Sequence, residues 1–454
     1  MFFNDTIVAQ ITPYGKSAVG IIRVSGVLSS LVSLKILKII PKPKIATYLS
    51  FFDLSNNIID KGIALWFPGP NSFTGEDVLE LQTHGSPILL NLLIDIITSI
   101  KNIRIARKGE FSERAFLNKK IDLIQAEAIN DLINSRSEIE LKCSLKSLHG
   151  FFSKYIKNII QKIIVFRSEI EVRIDFFENE EEYFLNLNIE KNIDNIIFSI
   201  NKIINMSNNS KILKNGIKIV LAGPPNVGKS SIFNKLLFNN RSIVTNIKGT
   251  TRDTLHENFS INGVLFELVD TAGIHETDNV IENIGIKRAI KEIKNADYIF
   301  FVIDINLNNF IQLQILSKFL SKLLIKKNFL IILNKFDLYN KKKIIKYKIK
   351  GIKYIYISTL NNLGIDLIRK FLIKKTKLLI NNEANFIVKS RHLNILKSTK
   401  NFLLKIKKKW ILSRNIELLA EDLFFSQKLL NEIYGSVTSK KIISYIFSNF
   451  CIGK

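Results

Sequence analysis

The run Gly223-Pro224-Pro225-Asn226-Val227-Gly228-Lys229-Ser230 is a complete G-x-x-x-x-G-K-S. Glycines at these positions let backbone N–H groups turn inward on a polyphosphate. Lys229 then reaches the β- and γ-phosphates, and the Ser230 hydroxyl suits Mg²⁺. Asn226, Val227, Gly228 and Ser231 complete the phosphate-contacting stretch. Further along, Asp270-Thr271-Ala272-Gly273 offers a carboxylate for the Mg²⁺ shell and, at Gly273, an N–H that can approach the γ-phosphate. Asn334-Lys335-Phe336-Asp337 offers a carboxylate able to accept both N–H groups on a guanine edge, a donor pair that adenine lacks. Ser358-Thr359-Leu360 is placed to contact the guanine carbonyl through its backbone. Between the first two motifs lies Gly249-Thr250-Thr251-Arg252-Asp253, the expected switch segment, with Thr251 as second Mg²⁺ ligand. The preceding Thr245, Asn246, Ile247 and Lys248 join the GTP-contacting set. In this order the motifs predict a site that binds GTP as substrate and hydrolyses it.

How water would be activated is less legible. A Ras-type enzyme carries a Gln just after the Asp-Thr-Ala-Gly motif; here that position is Ile274, which cannot hydrogen-bond water. His275, Glu276 and Glu282 are the nearby candidates, and their chemistry alone does not choose among them. No arginine finger is evident, Arg252 being equally readable as a solvated switch residue. The Asn226 amide oxygen could hold a monovalent cation beside the phosphates, or only stabilise the loop turn.

These motifs need strands to carry them. Residues 217–221 read as a buried strand and 231–237 as the helix after the loop; 264–269, 329–333 and 354–357 are further strands, each ending at a motif, where open α/β sheets bind ligands. Strand–helix alternation from 216 to about 373 predicts a parallel sheet with crossover helices. Ahead of it, the first 118 residues mix glycine turns with β-like runs at 6–11, 19–24, 63–67 and 78–81, a small α+β domain. From 119 the apolar period becomes helical through Ile121, Gln125, Ala128, Ile129, Leu132 and Ile133. Helix-compatible sequence continues to about 214, interrupted by the acidic residues 178–182, which lack the spacing of a metal loop. Residues 391–410 and 417–450 are helical again. The reading is an α+β domain (1–118), a helical domain in two parts (119–214 and 376–454) and a Ras-like P-loop domain (215–375) inserted between them.

The chain has 454 residues, 46% of them hydrophobic, enough for several cores. No apolar run reaches the length a membrane span needs, and no secretory signal is visible at the N-terminus. Cys143 and Cys451, the only cysteines, make a poor disulfide framework and fit a reducing cytoplasm. The net charge of +26 permits a nucleic-acid partner. Lysine is abundant everywhere, however, so tracts such as 340–350 and 405–409 read equally well as solvated faces.

Outside the nucleotide motifs the chain resembles the MnmE (TrmE) family of tRNA-modifying GTPases. The resemblance is carried by Asp5-Thr6-Ile7-Val8-Ala9-Gln10, Gly20-Ile21-Ile22-Arg23-Val24-Ser25-Gly26, Phe73-Thr74-Gly75-Glu76-Asp77-Val78-Leu79-Glu80-Leu81, Gly109-Glu110-Phe111-Ser112-Glu113-Arg114-Ala115-Phe116-Leu117-Asn118, and the terminal Phe450-Cys451-Ile452-Gly453-Lys454. It implies a tetrahydrofolate-binding and dimerising N-terminal domain, a discontinuous helical domain and an inserted G domain. It implies a homodimer that forms a heterotetramer with the FAD-dependent partner MnmG (GidA). Together they would add an aminomethyl or carboxymethylaminomethyl group to the 5-position of the tRNA wobble uridine, with a methylene- or formyl-tetrahydrofolate as one-carbon source. By the same resemblance Glu282 positions the attacking water. Potassium, held by Asn226 and the backbone oxygens of Thr245, Ile247 and Thr250, replaces the arginine finger, and folate meets Arg23, Glu80, Lys120 and Lys454.

The chain departs from the family pattern at Phe177, Lys248, His275 and Thr359, none of which removes a metal, phosphate or guanine contact. The rival is a ribosome-assembly GTPase that binds rRNA; it would lack the folate-like domain and the Cys-Ile-Gly-Lys end. Cys451 is expected to pack as a small hydrophobe rather than act as a thiol, and His84 to serve a turn rather than act as a base.

Overall fold

A computed structural model describes residues 5–176, 188–238, 255–270, 290–306, 328–338, 346–349, 352–380, 386–435, 440–451 and 453. At the N-terminus, β1 (Thr6–Gln10), β2 (Ser17–Ser25), β3 (Thr47–Phe52), β4 (Ile58–Phe67), β5 (Val78–Gly85) and β6 (Ile103–Ile105) form one sheet in the order β3-β4-β5-β2-β1-β6. Only the β1–β6 pair is parallel. Side chains alternate across a strand, and the sheet uses both faces. Val8, Ile22, Val24, Leu79 and Leu81 pack under α1 (Ser29–Leu37) and α2 (Pro87–Thr98). Ile7 and Ala9 point the other way, to Phe111 on α3 (Glu110–Leu117). The sequence reading missed β3 and β6. They are the two edge strands, and without a neighbour on one side they bury too little to show a clear pattern.

Next come α4 (Leu123–Ile133), α5 (Glu138–Leu148), α6 (Phe151–Phe176) and α7 (Ile189–Asn215). A reciprocal cap starts α4: Gln125 N–H donates to Asp122 Oδ1 at 2.8 Å, and Asp122 N–H to Gln125 Oε1 at 2.9 Å.

The α/β part holds β7 (Ile217–Ala222), α8 (Lys229–Phe238), β8 (Leu255–Ile261), β9 (Val264–Asp270), β10 (Tyr298–Asp304), β11 (Asn328–Asn334), β12 (Lys346–Ile349), β13 (Ile352–Tyr356) and α9 (Ile365–Ile380). Its sheet runs β12-β13-β11-β10-β7-β9-β8, parallel except at its two edges. The central strands are apolar on both faces, as a sheet covered on both sides requires. On one side Ile219, Leu221, Phe300 and Ile332 meet Ile232, Phe233, Ile365 and Leu372; on the other Val220, Phe301 and Ile303 meet Ile293 and Ala296. The end of the lysine-rich tract 340–350, read as solvated, supplies the edge strand β12.

Last come α10 (Ser390–Ser413), α11 (Ile416–Tyr434) and α12 (Lys440–Ser448). Residues 417–450 were expected to be helical; the helix stops at Gly435, which takes a left-handed φ of 95° and donates its N–H to Asn431 O. Buried residues recur at alternating spacings of three and four: Leu396, Thr399, Leu403, Ile406 and Trp410 on α10, and Leu419, Leu423, Ser426 and Leu430 on α11. Ile156, Ile159, Ile163, Phe166 and Ile170 on α6 keep the same spacing, that of a left-handed helix bundle. Lys407 pairs with Asp194 of α7 at 2.6 Å, and Arg167 of α6 donates to Gln427 of α11 at 2.8 Å.

The chain separates into two compact units. One gathers 1–133, 147–201 and 391–454; the other gathers 134–146 and 202–390. The α/β part is therefore an insertion between helical segments that belong together. Residues 134–146 join the α/β unit, where Ile139 packs beside Gly263 at the β8–β9 turn.

Candidate functional site

The phosphate loop leaves β7 and enters α8 at Lys229. Gly228 is required by both conformation and space. Its φ is 92°, and a Cβ there would lie 2.3 Å from Asn334 Nδ2. Asn334 uses that proximity: Nδ2 donates to Val227 O at 2.9 Å, and Oδ1 accepts from Thr359 N–H at 3.3 Å. One buried amide thus ties the phosphate loop, the Asn334–Asp337 run and the Ser358–Leu360 run together. Asn226 is left-handed at φ 61°, a conformation its short polar side chain tolerates.

Lys229 is buried, and its ammonium donates to the carbonyls of Gly223 (3.2 Å) and Pro224 (2.7 Å). Burial pulls its pKa below the ordinary lysine value, with the Asp270 charge opposing. Ser230 Oγ donates to Asp270 Oδ2 at 2.7 Å. A hydroxyl and a carboxylate oxygen side by side are the hard donors that Mg²⁺ takes, so the residues present fit that ion.

At the base end, Asp337 sits in the short 3₁₀ turn Phe336–Leu338. The Ser358 hydroxyl donates to Asp337 Oδ1, and Ser358 Oγ accepts from Asn361 N–H at 3.2 Å. Lys335, left-handed at φ 64°, places Nζ 2.6 Å from Asp304 Oδ2. The sequence reading missed two of these roles. Ser358 was expected to act through its backbone, yet its hydroxyl donates to the Asp337 carboxylate. Asp304 was not singled out, although it ends β10 directly beside Asn334 in register. A search of every strand end in the block would have found it.

The structure brings Gly228, Lys229, Ser230, Asp270, Asn334, Lys335, Asp337, Ser358 and Thr359 to one end of the sheet. Outside the described residues lie Thr245, Asn246, Ile247, Lys248, Gly249, Thr250, Thr251, Arg252, Thr271, Ala272, Gly273, His275, Glu276, Glu282 and Lys454.

A second polar site lies in the N-terminal sheet. Arg23 and Glu80 face each other across β2 and β5. They pair at 2.7 Å, with the Arg23 guanidinium 5.5 Å from the Phe73 ring and 5.7 Å from that of Phe111. The loop that carries Phe73 also meets Lys120, whose Cε would lie 3.3 Å from a Cβ at Gly75. Behind it Arg114, fully buried, donates to Asp5 (2.9 Å), Glu76 (3.1 Å) and Glu110 (3.3 Å). Burial pushes the Glu110 carboxyl up, but the Arg104 and Arg107 donors more than offset this and bring it to about 2. The C-terminal run reaches the same region: Gly109 N–H donates to Cys451 O at 3.3 Å, and a Cβ on Gly453 would lie 2.6 Å from Gln10 O. Thus Arg23, Glu80 and Lys120 border one loop, and the residue before Lys454 sits beside β1.

Cys451 is exposed, contrary to its expected packing as a small hydrophobe. Cys143 fills that role instead, its thiol pushed up to about 11 by burial. His84 closes β5, exposed, with Nδ1 2.8 Å from Asp60 Oδ1.

Family comparison covers both units. A model described as "GTP-binding protein TrmE N-terminus" matches residues 6–120, and one described as "MnmE helical domain" matches 123–451. The chain belongs to the MnmE family. It is 49% identical over 458 residues to the tRNA modification GTPase MnmE of Buchnera aphidicola subsp. Baizongia pistaciae (strain Bp), covering 100% of this chain and 99% of that one. It is 47% identical to the proteins of the same name from Buchnera aphidicola subsp. Schizaphis graminum (strain Sg) and Wigglesworthia glossinidia brevipalpis, with full coverage of both partners in each case. MnmE relatives thus align along the whole chain, ionic site and terminal run included.

Proposed function

We propose that this chain is a GTP hydrolase that serves tRNA modification, as the name of its MnmE relatives describes. The observation that carries the reading is the convergence of Lys229, the Ser230–Asp270 pair and the Ser358-oriented Asp337 at one sheet end. Lys229 is held beside the phosphate position, Ser230 and Asp270 would hold Mg²⁺, and Asp337 reads the base. The ion, when bound, would neutralise charge on the β- and γ-phosphates. Asp337→Asn should exchange preference for GTP for preference for xanthosine triphosphate, which restores a matching donor–acceptor pair. An unchanged preference would count against the assignment.

The finer reading follows the family. Glu282 orients the attacking water; Asn226 with Thr245, Ile247 and Thr250 holds K⁺. Arg23, Glu80, Lys120 and Lys454 receive a tetrahydrofolate derivative; the grouping of Arg23, Glu80 and Lys120 around the loop 68–77 supports this. The chain acts as a cytoplasmic homodimer with MnmG on the wobble uridine of tRNA, its domains divided at 118, 214 and 375. Glu282→Ala should leave nucleotide affinity near wild type and sharply lower turnover in potassium buffer. Saturable binding of a labelled folate, weakened by Arg23→Ala or Lys454→Ala, tests the N-terminal site. Loss of the modified wobble nucleoside in cells without the protein tests the reaction.

A further inference from the structure

The helix α10 carries Arg391 and six lysines and not one Asp or Glu. In sequence this is indistinguishable from the general lysine excess, but the fold sorts these cations into two groups. Arg391 is tied to Glu127, Lys407 to Asp194 and Lys409 to Asp422, at 3.3, 2.6 and 3.1 Å. Lys397, Lys400, Lys405 and Lys408 have no ion pair or hydrogen bond among the described residues. Lys397, Lys405 and Lys408 lie opposite the seam of Leu396, Thr399, Leu403, Ile406 and Trp410 that faces the bundle core, and Lys400 flanks that seam. Lys397, Lys405 and Lys408 are exposed and Lys400 is half-buried. At the rise of an α-helix the row from Lys397 to Lys408 is about 16 Å long.

Four unneutralised ammonium groups on one helix repel one another. A partner with regularly spaced negative charge relieves that repulsion, and a nucleic-acid backbone carries such charges. We propose that this face of α10 docks the phosphate backbone of the tRNA. Lysine on a flexible stem acts here as a point charge, so the face positions the RNA without reading its bases. The inference rests on the tRNA reading above and adds where on the chain the RNA lies.

The test uses the full-length chain and the quadruple variant Lys397→Gln, Lys400→Gln, Lys405→Gln and Lys408→Gln, with Lys407→Gln/Lys409→Gln as the paired-lysine control. Binding of unmodified tRNA is followed against salt concentration, with basal GTP hydrolysis and thermal unfolding as checks on folding. Each lost phosphate contact makes the log–log salt slope shallower by about 1. The quadruple variant should therefore lose about 3 to 4 from the slope, alike for different tRNAs, with hydrolysis and unfolding unchanged. The control should lose less. An unchanged slope and affinity in a folded quadruple variant would overturn the assignment while leaving the tRNA reading intact. Failure of the wild-type chain to bind tRNA at low salt would remove the tRNA reading and the docking face with it. Loss of binding to phosphatidylserine vesicles with tRNA binding retained would assign the face to a membrane surface and overturn the proposal.

Discussion

The nucleotide loop and the N-terminal ionic cluster both hold charged groups out of water, yet the chain builds them in opposite ways. At the nucleotide end, Gly223 to Ser230 are consecutive, and Asp270, Asn334 and Ser358 stand at or just past the ends of β9, β11 and β13 in one mainly parallel sheet. The strand ends deliver them together whatever the detailed side-chain packing. In the N-terminal unit, Asp5, Glu76, Glu110 and Arg114 come from a strand start, a loop and a helix, and meet only because β1, β2 and β5 are neighbours. The first site can lose a contact and keep its frame. The second is part of its own frame, since a buried charge stripped of its partners is expensive.

The largest effect should come from Arg114→Met. It leaves Glu76 and Glu110 without their central partner and should cost the N-terminal unit about 3–5 kcal/mol in urea unfolding, with GTP affinity unchanged. A cost below about 1 kcal/mol would put this cluster on a par with surface pairs and erase the contrast.

Glu110 sharpens the same point through pH. Its folded pKa of about 2 lies below the ordinary 4.5. Its contribution is therefore fully present above the unfolded value and is lost as pH falls through 4.5 toward 2. At neutral pH Glu110→Gln should cost about 3 kcal/mol, since each tenfold change in proton affinity is worth about 1.4 kcal/mol. As pH falls below about 2 the difference between variant and wild type should close. A cost independent of pH would place the effect in packing rather than charge.

Ser358→Ala probes the other site. Removing the hydroxyl that orients Asp337 should weaken GTP affinity about tenfold, the equivalent of one good hydrogen bond, while urea stability changes little. The smallest readout is thiol labelling: one thiol per native chain, Cys451, should react, and Cys143 only after unfolding.

How much was legible follows from the same contrast. The phosphate loop, the strands that carry each motif and the helical character of 391–410 could be read because local rules govern them: turn chemistry, strand burial and helical period. The edge strands β3 and β6 were not, since each is covered on one side only, by β4 and by the distant β1 respectively, and shows no clean burial alternation. Residues 417–450 were read as helical, and they are, as α11 and α12; the stop at Gly435 was not legible, because a single Gly is tolerable in a helix until its backbone is seen to turn left-handed. Asp304 holding Lys335, and the Ser358 hydroxyl on Asp337, depend on the register of β10 with β11 and of β11 with β13, which no local pattern encodes.

By itself, then, the amino-acid order singled out the groups proposed to grip a polyphosphate and a guanine, because those groups sit at constant offsets along single strand–loop–helix units. The tertiary structure alone decided which charges are neutralised: that Arg114 is enclosed by three carboxylates, that Lys407 and Lys409 are paired, and that Lys397, Lys400, Lys405 and Lys408 have no such partner among the described residues. Electrostatic energy depends on separation in space and on distance from water, and neither can be counted along a chain.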